Sequence, residues 1–181
     1  MKTASVRLSA NAQLYTLNSQ IIVRLSEDNS LKMPSRGQVA VTGTINNHEF
    51  KTVIEPDGYW GHFIKISDEM KNNMGIKAGD IVKLNISVTR EWPEPVVPND
   101  FAIGLAKAPQ KVREKWNDIT PMARWEWIRW VNATNNLDTR AIRIDKSVSK
   151  LNGNHRRPCC FNLASCTDPG LSKGGRLMKV A

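Results

Sequence analysis

The chain has 181 residues, enough for one sizeable domain or for one domain with an appendage. Hydrophobic residues make up 40% and charged residues 24%, which are the proportions of an ordinary globular protein and argue against global disorder. No apolar run approaches the roughly 20 residues that a membrane-spanning helix needs. The charged N-terminus is not followed by the apolar core of a signal peptide, so we expect a soluble, cytoplasmic protein.

The net charge of +9 is distributed unevenly along the chain. Residues 1–106 hold 11 Lys/Arg and 11 Asp/Glu, residues 107–157 hold 12 and 5, and residues 158–181 hold 3 and 1. The whole excess therefore lies after residue 106. This asymmetry predicts an anionic partner, which would be nucleic acid, a lipid surface or an acidic protein, unless the basic face is simply solvated.

The first part of the chain has the pattern of strands and turns. Alternating or β-branched apolar residues predict strands at residues 20–25, 38–45, 49–54, 59–66 and 81–88. Ser67 is positioned to cap a short helix that runs to Asn73, and Gly75 is a natural stop for that helix.

Two stretches of this part repeat one pattern. Residues 23–28 and 64–69 each read apolar–basic–apolar–Ser–acid–acid, and each is followed by a glycine that opens a strand, Gly37 and Gly79. Two such units would pack around a pseudo-twofold axis and close a small barrel without exposed edges. We therefore predict an α+β fold, with a closed β-barrel domain over residues 1–92.

The rest of the chain is predicted to be helical. Three prolines mark a linker at residues 93–99. Caps, first-turn prolines and helical periodicity predict a helical region over residues 100–153, which gives the fold a basic helical C-terminal region. Residues 154–181 lack periodicity and are predicted to form a loop-rich, cysteine-containing tail.

Two resemblances extend this reading. Residues 64–82, with a strand, a short helix, the turn GIKAGD and a second strand, resemble the swapped-hairpin unit of AbrB/MazE-type proteins. That resemblance implies a double-split barrel. The relatives bind DNA as dimers, but here the barrel segment is neutral and holds both copies in one chain, so DNA binding is not carried over.

The second resemblance covers most of the chain. VTGTIN at residues 41–46, the turn at 75–82, and residues 138–144 before LNG at 151–153 are similar to the bacterial YdeI/OmpD-associated, or bacteriocin-protection, family. The resemblance implies a domain of unknown function before a helical segment, and a link to tolerance of antimicrobial peptides rather than a reaction. Asn46 and Asn47 stand where an Asn-Gly turn is usual. Since Asn also accepts positive φ, we expect the turn to survive.

Aromatic and basic side chains are the first candidate site. One interpretation of the tryptophans in this region is an aromatic surface that binds bases or a ligand, with Arg124 stacked on an indole ring. The favoured interpretation is that the tryptophans pack in the core. Arg140 and Arg143 share a helix face and could hold a phosphate or carboxylate, or form internal salt bridges, for instance with Asp138. The predicted anion-binding residues are Arg124, Arg140, Arg143, Arg156 and Arg157, and the predicted aromatic cluster is Trp116, Trp125, Trp127 and Trp130.

The tail offers a second candidate. His155, Cys159, Cys160 and Cys166 could supply four ligands to a tetrahedral zinc ion, although adjacent cysteines and the lack of a Cys-x-x-Cys pair count against it. Two alternatives are reactive thiols beside basic residues and small apolar residues that attach the tail to the body.

No catalytic motif is recognised. His48, His62 and His155 are scattered, and the chain has neither a phosphate loop nor a Gly-x-Gly-x-x-Gly motif. The sequence therefore favours a non-enzymatic binding or stress-tolerance protein whose basic helical face engages an anionic partner. The alternatives are an AbrB-like nucleic-acid-binding regulator and a metal- or thiol-dependent protein that uses the cysteine tail.

Overall fold

The structure is a computed structural model and describes residues 5–159 and 162–180. Its elements in chain order are β1 Arg7–Leu17, β2 Gln20–Arg24, α1 Glu27–Leu31, β3 Val39–Ile45, β4 His48–Pro56, β5 His62–Ile66, α2 Asp68–Met74, β6 Ile81–Val88, α3 Asn99–Lys107, α4 Gln110–Asp118, α5 Pro121–Asn132, α6 Leu137–Asn152, β7 Ser172–Lys173 and β8 Arg176–Leu177.

The first six strands form a closed barrel. Their order is β1-β2-β5-β4-β3-β6, and each neighbouring pair is antiparallel. Val41, Ile54 and Ile64 are fully buried in the barrel core, as the alternation of apolar residues along these strands requires. The predicted α+β class, with a closed barrel followed by helices, is confirmed.

The turn between β3 and β4 is a two-residue hairpin turn. Ile45 pairs with His48, and the two turn residues between them, Asn46 and Asn47, have φ of 48° and 68°. Two-residue turns of this kind need positive φ at both positions, and Asn tolerates that region better than most residues. The expectation that this turn survives without glycine is confirmed.

The barrel has an internal twofold relation in its connections. Exchanging β1, β2 and β3 with β4, β5 and β6 leaves the set of paired strands unchanged, since β1–β2 becomes β4–β5, and β1–β6 becomes β4–β3. Each half also carries one short helix between its second and third strands. The two helices begin alike: Ser26 Oγ accepts from the Asn29 amide at 3.3 Å, and Ser67 Oγ accepts from the Met70 amide at 3.1 Å. The pattern repeat in the sequence therefore corresponds to a structural repeat.

Four helices form the second body of the protein. α6 packs against α3, α4 and α5. α5 begins as its sequence predicts, with the Thr120 hydroxyl accepting from the Ala123 amide at 3.2 Å and Pro121 at the first helical position. The core of the helices is apolar and includes Phe101, Val112, Trp116, Trp127, Val131, Ile144 and Leu151.

The chain divides into two compact units. The barrel unit comprises the described residues up to Pro93 together with Leu163–Cys166 and the chain from Gly170 onwards, and the helical unit comprises Glu94–Asn162 and Thr167–Pro169. The tail is thus shared between the units. In the barrel unit the tail forms the small hairpin β7–β8. Its buried residues Cys166, Leu171 and Leu177 cover Ile22 and Phe63, which point away from the barrel core.

Candidate anion-binding site

Arg124 holds together elements within the helical unit. Its guanidinium forms a two-pronged ion pair with Glu94, with N–O distances of 3.0 Å from Nε and 2.7 Å from Nη2. Its Nη1 donates to the carbonyls of Trp116 at 3.0 Å and Ile119 at 2.6 Å, at the end of α4. Arg124 therefore satisfies carbonyls that a helix C-terminus leaves without partners.

The two arginines on α6 have different partners. Arg140 Nη2 donates to Asp100 at 3.0 Å and Nη1 donates to Asn132 Oδ1 at 2.9 Å. The Arg140 hydrogen bonds hold the pKa of Asp100 below its usual value. Arg143 donates to the Trp130 carbonyl at 2.8 Å and lies over the Trp130 ring, 5.6 Å from its centroid.

The last two predicted arginines also form ion pairs inside the helical unit. Arg156 donates to the Asp118 carboxylate at 2.6 Å and holds the pKa of that carboxyl below its usual value. Arg157 forms a two-pronged pair with Glu126, whose side chain is 6% exposed, and the Glu126 hydrogen bond raises the pKa of Arg157. Because these charges already face carboxylates, an external anion would have to displace an internal partner.

The tryptophans divide between the core and its margin. Trp116 and Trp127 are buried, Trp116 edge-on to Phe101 with ring centroids 5.3 Å apart. Trp127 Nε1 donates to the Arg156 carbonyl at 3.0 Å, and the Trp127 ring lies 6.4 Å from that of Trp130. Trp125 and Trp130 are half-buried.

The tail cysteines are placed differently from one another. Cys166 is buried in the barrel unit, and Cys159 is exposed and accepts a hydrogen bond from Lys150 Nζ at 3.2 Å. Cys160 lies outside the described residues. Within the described ranges, no group of three or more His, Cys, Asp and Glu side chains could hold a metal ion. Zinc binding by His155 and the three cysteines stays a prediction.

A cluster of cations that the sequence reading did not single out lies where α3 meets α4. This α3–α4 corner consists of Lys107, Lys111 and Arg113, all exposed. In the part of the chain that the structure describes, none of the three forms an ion pair with a carboxylate. Arg113 instead donates to the Ala108 carbonyl, between the two helices.

Lys111 is in an electrostatically unfavourable place for helix stability. It lies in the first turn of α4, which contains no acidic residue. The positive end of the helix dipole disfavours a cation there. The signal in the sequence was three cations within residues 107–113 without an acid between them.

Division by unit changes the charge asymmetry. The barrel unit holds 14 Lys/Arg and 9 Asp/Glu, and the helical unit holds 12 and 8. The excess is shared for two reasons: Lys173, Arg176 and Lys179 belong to the barrel unit although they lie after residue 106, and Glu94 and Asp100 belong to the helical unit although they lie before it. Local pairing, rather than net charge, therefore distinguishes one basic surface from another.

Asp57 and His62 are two of the buried polar side chains in the barrel unit. Asp57, 3% exposed, accepts from the amides of Tyr59 at 2.7 Å and Gly61 at 2.9 Å, and from Arg24 Nη2 at 3.2 Å. His62, 1% exposed, has Nε2 3.1 Å from the Gly37 carbonyl, and burial lowers its pKa. The neutral imidazole can therefore donate from Nε2 to that carbonyl.

Comparison with known families agrees with the division of the chain into a barrel unit and a helical unit. Residues 4–86 match the family model described as a domain of unknown function, DUF1905, and residues 94–154 match the model described as bacteriocin-protection, YdeI or OmpD-associated. The chain thus combines an N-terminal domain of unknown function with a YdeI/OmpD-associated region, and the predicted resemblance is confirmed. No curated protein gives a significant match. Among the described helices, none is long and apolar enough to cross a membrane.

Proposed function

We propose that this chain is a cytoplasmic, non-enzymatic binding or stress-tolerance protein whose helical unit engages an anionic partner at the α3–α4 corner. The observation that carries the proposal is that Lys107, Lys111 and Arg113 have no carboxylate partner among the described residues, whereas the five arginines first considered have internal partners. The description of the second family as bacteriocin-protection supports a role in tolerance.

Charge at the corner is available without rearrangement. An anion that approached Arg140 or Arg157 would compete with a carboxylate already in place. Lys107 and Lys111 offer exposed ammonium groups on flexible stems, so binding there replaces only water and counterions. Contacts of this kind are salt-dependent and tolerate several anionic surfaces.

The test is a salt titration with three probes: duplex DNA, single-stranded RNA and vesicles of phosphatidylglycerol. We expect at least one probe to bind at low ionic strength and to be released as salt rises. The double variant Lys107→Gln/Lys111→Gln should weaken that binding. The control Lys77→Gln/Lys83→Gln removes the same charge from exposed positions on the barrel and should leave binding unchanged.

The outcomes separate the candidates. Failure of all three probes to bind would remove the proposal, and equal losses in both double variants would show that only net charge matters. Binding of duplex DNA alone would favour the AbrB-like regulator, and loss of both lysine contacts would then reduce the slope of log affinity against log salt by about 1.8.

A further inference from the structure

A cavity of about 570 Å³ opens beside the first part of β1, within the barrel unit. Its apolar lining includes Leu8, Ala10 and Leu84, and polar groups come from Tyr15 and Asn29. Sites for small molecules commonly measure roughly 300–1,000 Å³ and combine an apolar lining with a few polar groups. The cavity has the size of such a site, and its lining is more polar, since seven of the thirteen residues that line it are polar or charged.

The pairing of β1 explains where the cavity lies. β1 pairs with β6 from Arg7 to Gln13, but it pairs with β2 only from Leu14 to Leu17. The first part of β1 therefore has a strand on one side only. β4 has the same arrangement, since it pairs with β3 up to Ile54 and with β5 only at Glu55 and Pro56.

The twofold relation shows which residues stand at equivalent places in the two halves. In the first half, Leu14 pairs with Val23, which lies three residues before the capping Ser26. In the second half, Ile54 is the equivalent of Leu14, because it precedes Glu55, and Glu55 pairs with Phe63, four residues before the capping Ser67. Four residues earlier, on the same face of each strand, β1 carries Ala10 and β4 carries Phe50.

The two short helices differ in the same direction. The amide that bonds to the capping serine belongs to Asn29 in the first half and to Met70 in the second half. Phe50 is buried in the barrel core, and Met70 packs against that core. Ala10 and Asn29 therefore stand in place of the larger Phe50 and Met70. The second half also has a cavity, of about 590 Å³, but it is lined by residues of β3 and β4, Phe50 among them, and by none of α2.

The charges around the cavity favour a particular kind of ligand. Arg24 and Lys179 line it, and the residues that line it include no carboxylate. Arg24 forms an ion pair with Asp57, with a distance of 3.2 Å from Nη2 to Oδ2. These three groups sum to a single positive charge, which one carboxylate would neutralise and a phosphate dianion would exceed.

We propose that this cavity binds a small amphiphilic monocarboxylate. The carboxylate would lie near Arg24 and Lys179, where charge-assisted hydrogen bonds are available. The apolar body would lie against Leu8, Ala10 and Leu84, where it is removed from water. This site is on the barrel unit and does not depend on the α3–α4 corner.

The experiment uses the full chain and octanoate as the probe, with binding followed by calorimetry and by amide NMR shifts. Octanol, which has the same chain without the charge, and inorganic phosphate, which has charge without the chain, should each bind at least tenfold more weakly. Ala10→Phe places in the first half the side chain that the second half carries, and should abolish octanoate binding. Lys179→Gln should weaken binding about threefold to fivefold, and Lys173→Gln, an exposed tail lysine outside the cavity, should not change it.

The proposal is overturned if octanol or phosphate binds as well as octanoate, or if octanoate binds Ala10→Phe as well as it binds the parent chain. Asn29→Met is a second variant that narrows the cavity from the helix side, and it decides the question if Ala10→Phe does not fold. Shifts confined to amides near β1 and α1 support the site, and shifts confined to the helical unit contradict it.

Discussion

The two halves of the barrel share one order of strands and differ in what fills the space beside their first strands. In the second half, Phe50 is buried in the barrel core, Met70 packs against that core, and a cavity of about 590 Å³ is lined by residues of β3 and β4. In the first half, Ala10 and Asn29 leave a cavity between β1 and α1. The strand pairing is preserved although the packing is not, because ladder hydrogen bonds need only backbone groups, whereas packing depends on side-chain volume. The same strand order therefore tolerates different side chains at equivalent places in the two halves.

The largest expected effect comes from removal of the buried aromatic side chain that the second half carries at this place. Phe50→Ala deletes a buried aromatic ring and leaves a void, so we expect a loss of about 3–5 kcal/mol in the free energy of unfolding. Urea denaturation measures it. Leu8→Ala in the first half also removes a buried side chain beside a cavity and should cost less, because a leucine side chain has fewer buried atoms than a phenylalanine side chain. Equal losses would contradict this order.

The two halves also differ in one titratable side chain. His62 lies at the place in β5 where β2 carries Ile21, and burial lowers its pKa, with Arg36 acting in the same direction. Since the unfolded chain then binds a proton more readily, the free energy of unfolding should fall as pH drops below about 6.5 and be level above it. For one proton the slope is at most about 1.4 kcal/mol per pH unit.

His62→Gln removes this titration while keeping a donor, Nε2, near the position from which His62 Nε2 reaches the Gly37 carbonyl. Unfolding curves at pH 5 to 8 should show the decline in the parent chain and a smaller decline in the variant. His48 and His155 are exposed and remain in both proteins, so they act as an internal control. An identical pH dependence in the two proteins would place the proton uptake elsewhere.

Much of the barrel could be predicted from sequence, and the omissions have physical causes. β1 was missed because its inward positions include Ala10 and Ala12, which carry little of the β-branched or aromatic signal of strands. α1 was missed because it has only five residues, although its capping serine is marked by the repeat. The strands β7 and β8 in the tail were not predicted because each has only two residues, which is too few to show a pattern.

The sites were harder to predict than the fold. Arg140 looked available because its partner Asp100 is 40 residues away in sequence and meets it only after α3 packs on α6. The cavity is similar, since it is lined by residues of β1, α1, β6 and the tail. A short cluster such as residues 107–113 was readable, but only the structure shows which cations lack an internal partner.

A smaller effect tests whether the halves begin their helices equivalently. Ser26→Ala and Ser67→Ala each remove a side-chain acceptor from a helix N-terminus and should each cost about 1 kcal/mol. Thermal or urea unfolding of both variants gives the comparison, and replacement of either serine by Asp should restore most of the loss. If only one of the two variants is destabilised, the two caps are not equivalent.

The smallest expected effect comes from a substitution that makes α1 resemble α2. Asn29→Met gives α1 the residue that α2 carries, a better helix former that can cover apolar surface of the cavity, so we expect a gain of about 0.5 kcal/mol. The hydrogen bond from Lys32 to Asn29, 3.3 Å long and exposed, is lost at little cost. Met70→Asn is the reverse change and should destabilise the protein. If Asn29→Met stabilises the fold while octanoate binding falls, the first half has given up packing in exchange for a binding site. If neither changes, Asn29 does not bound the cavity in solution.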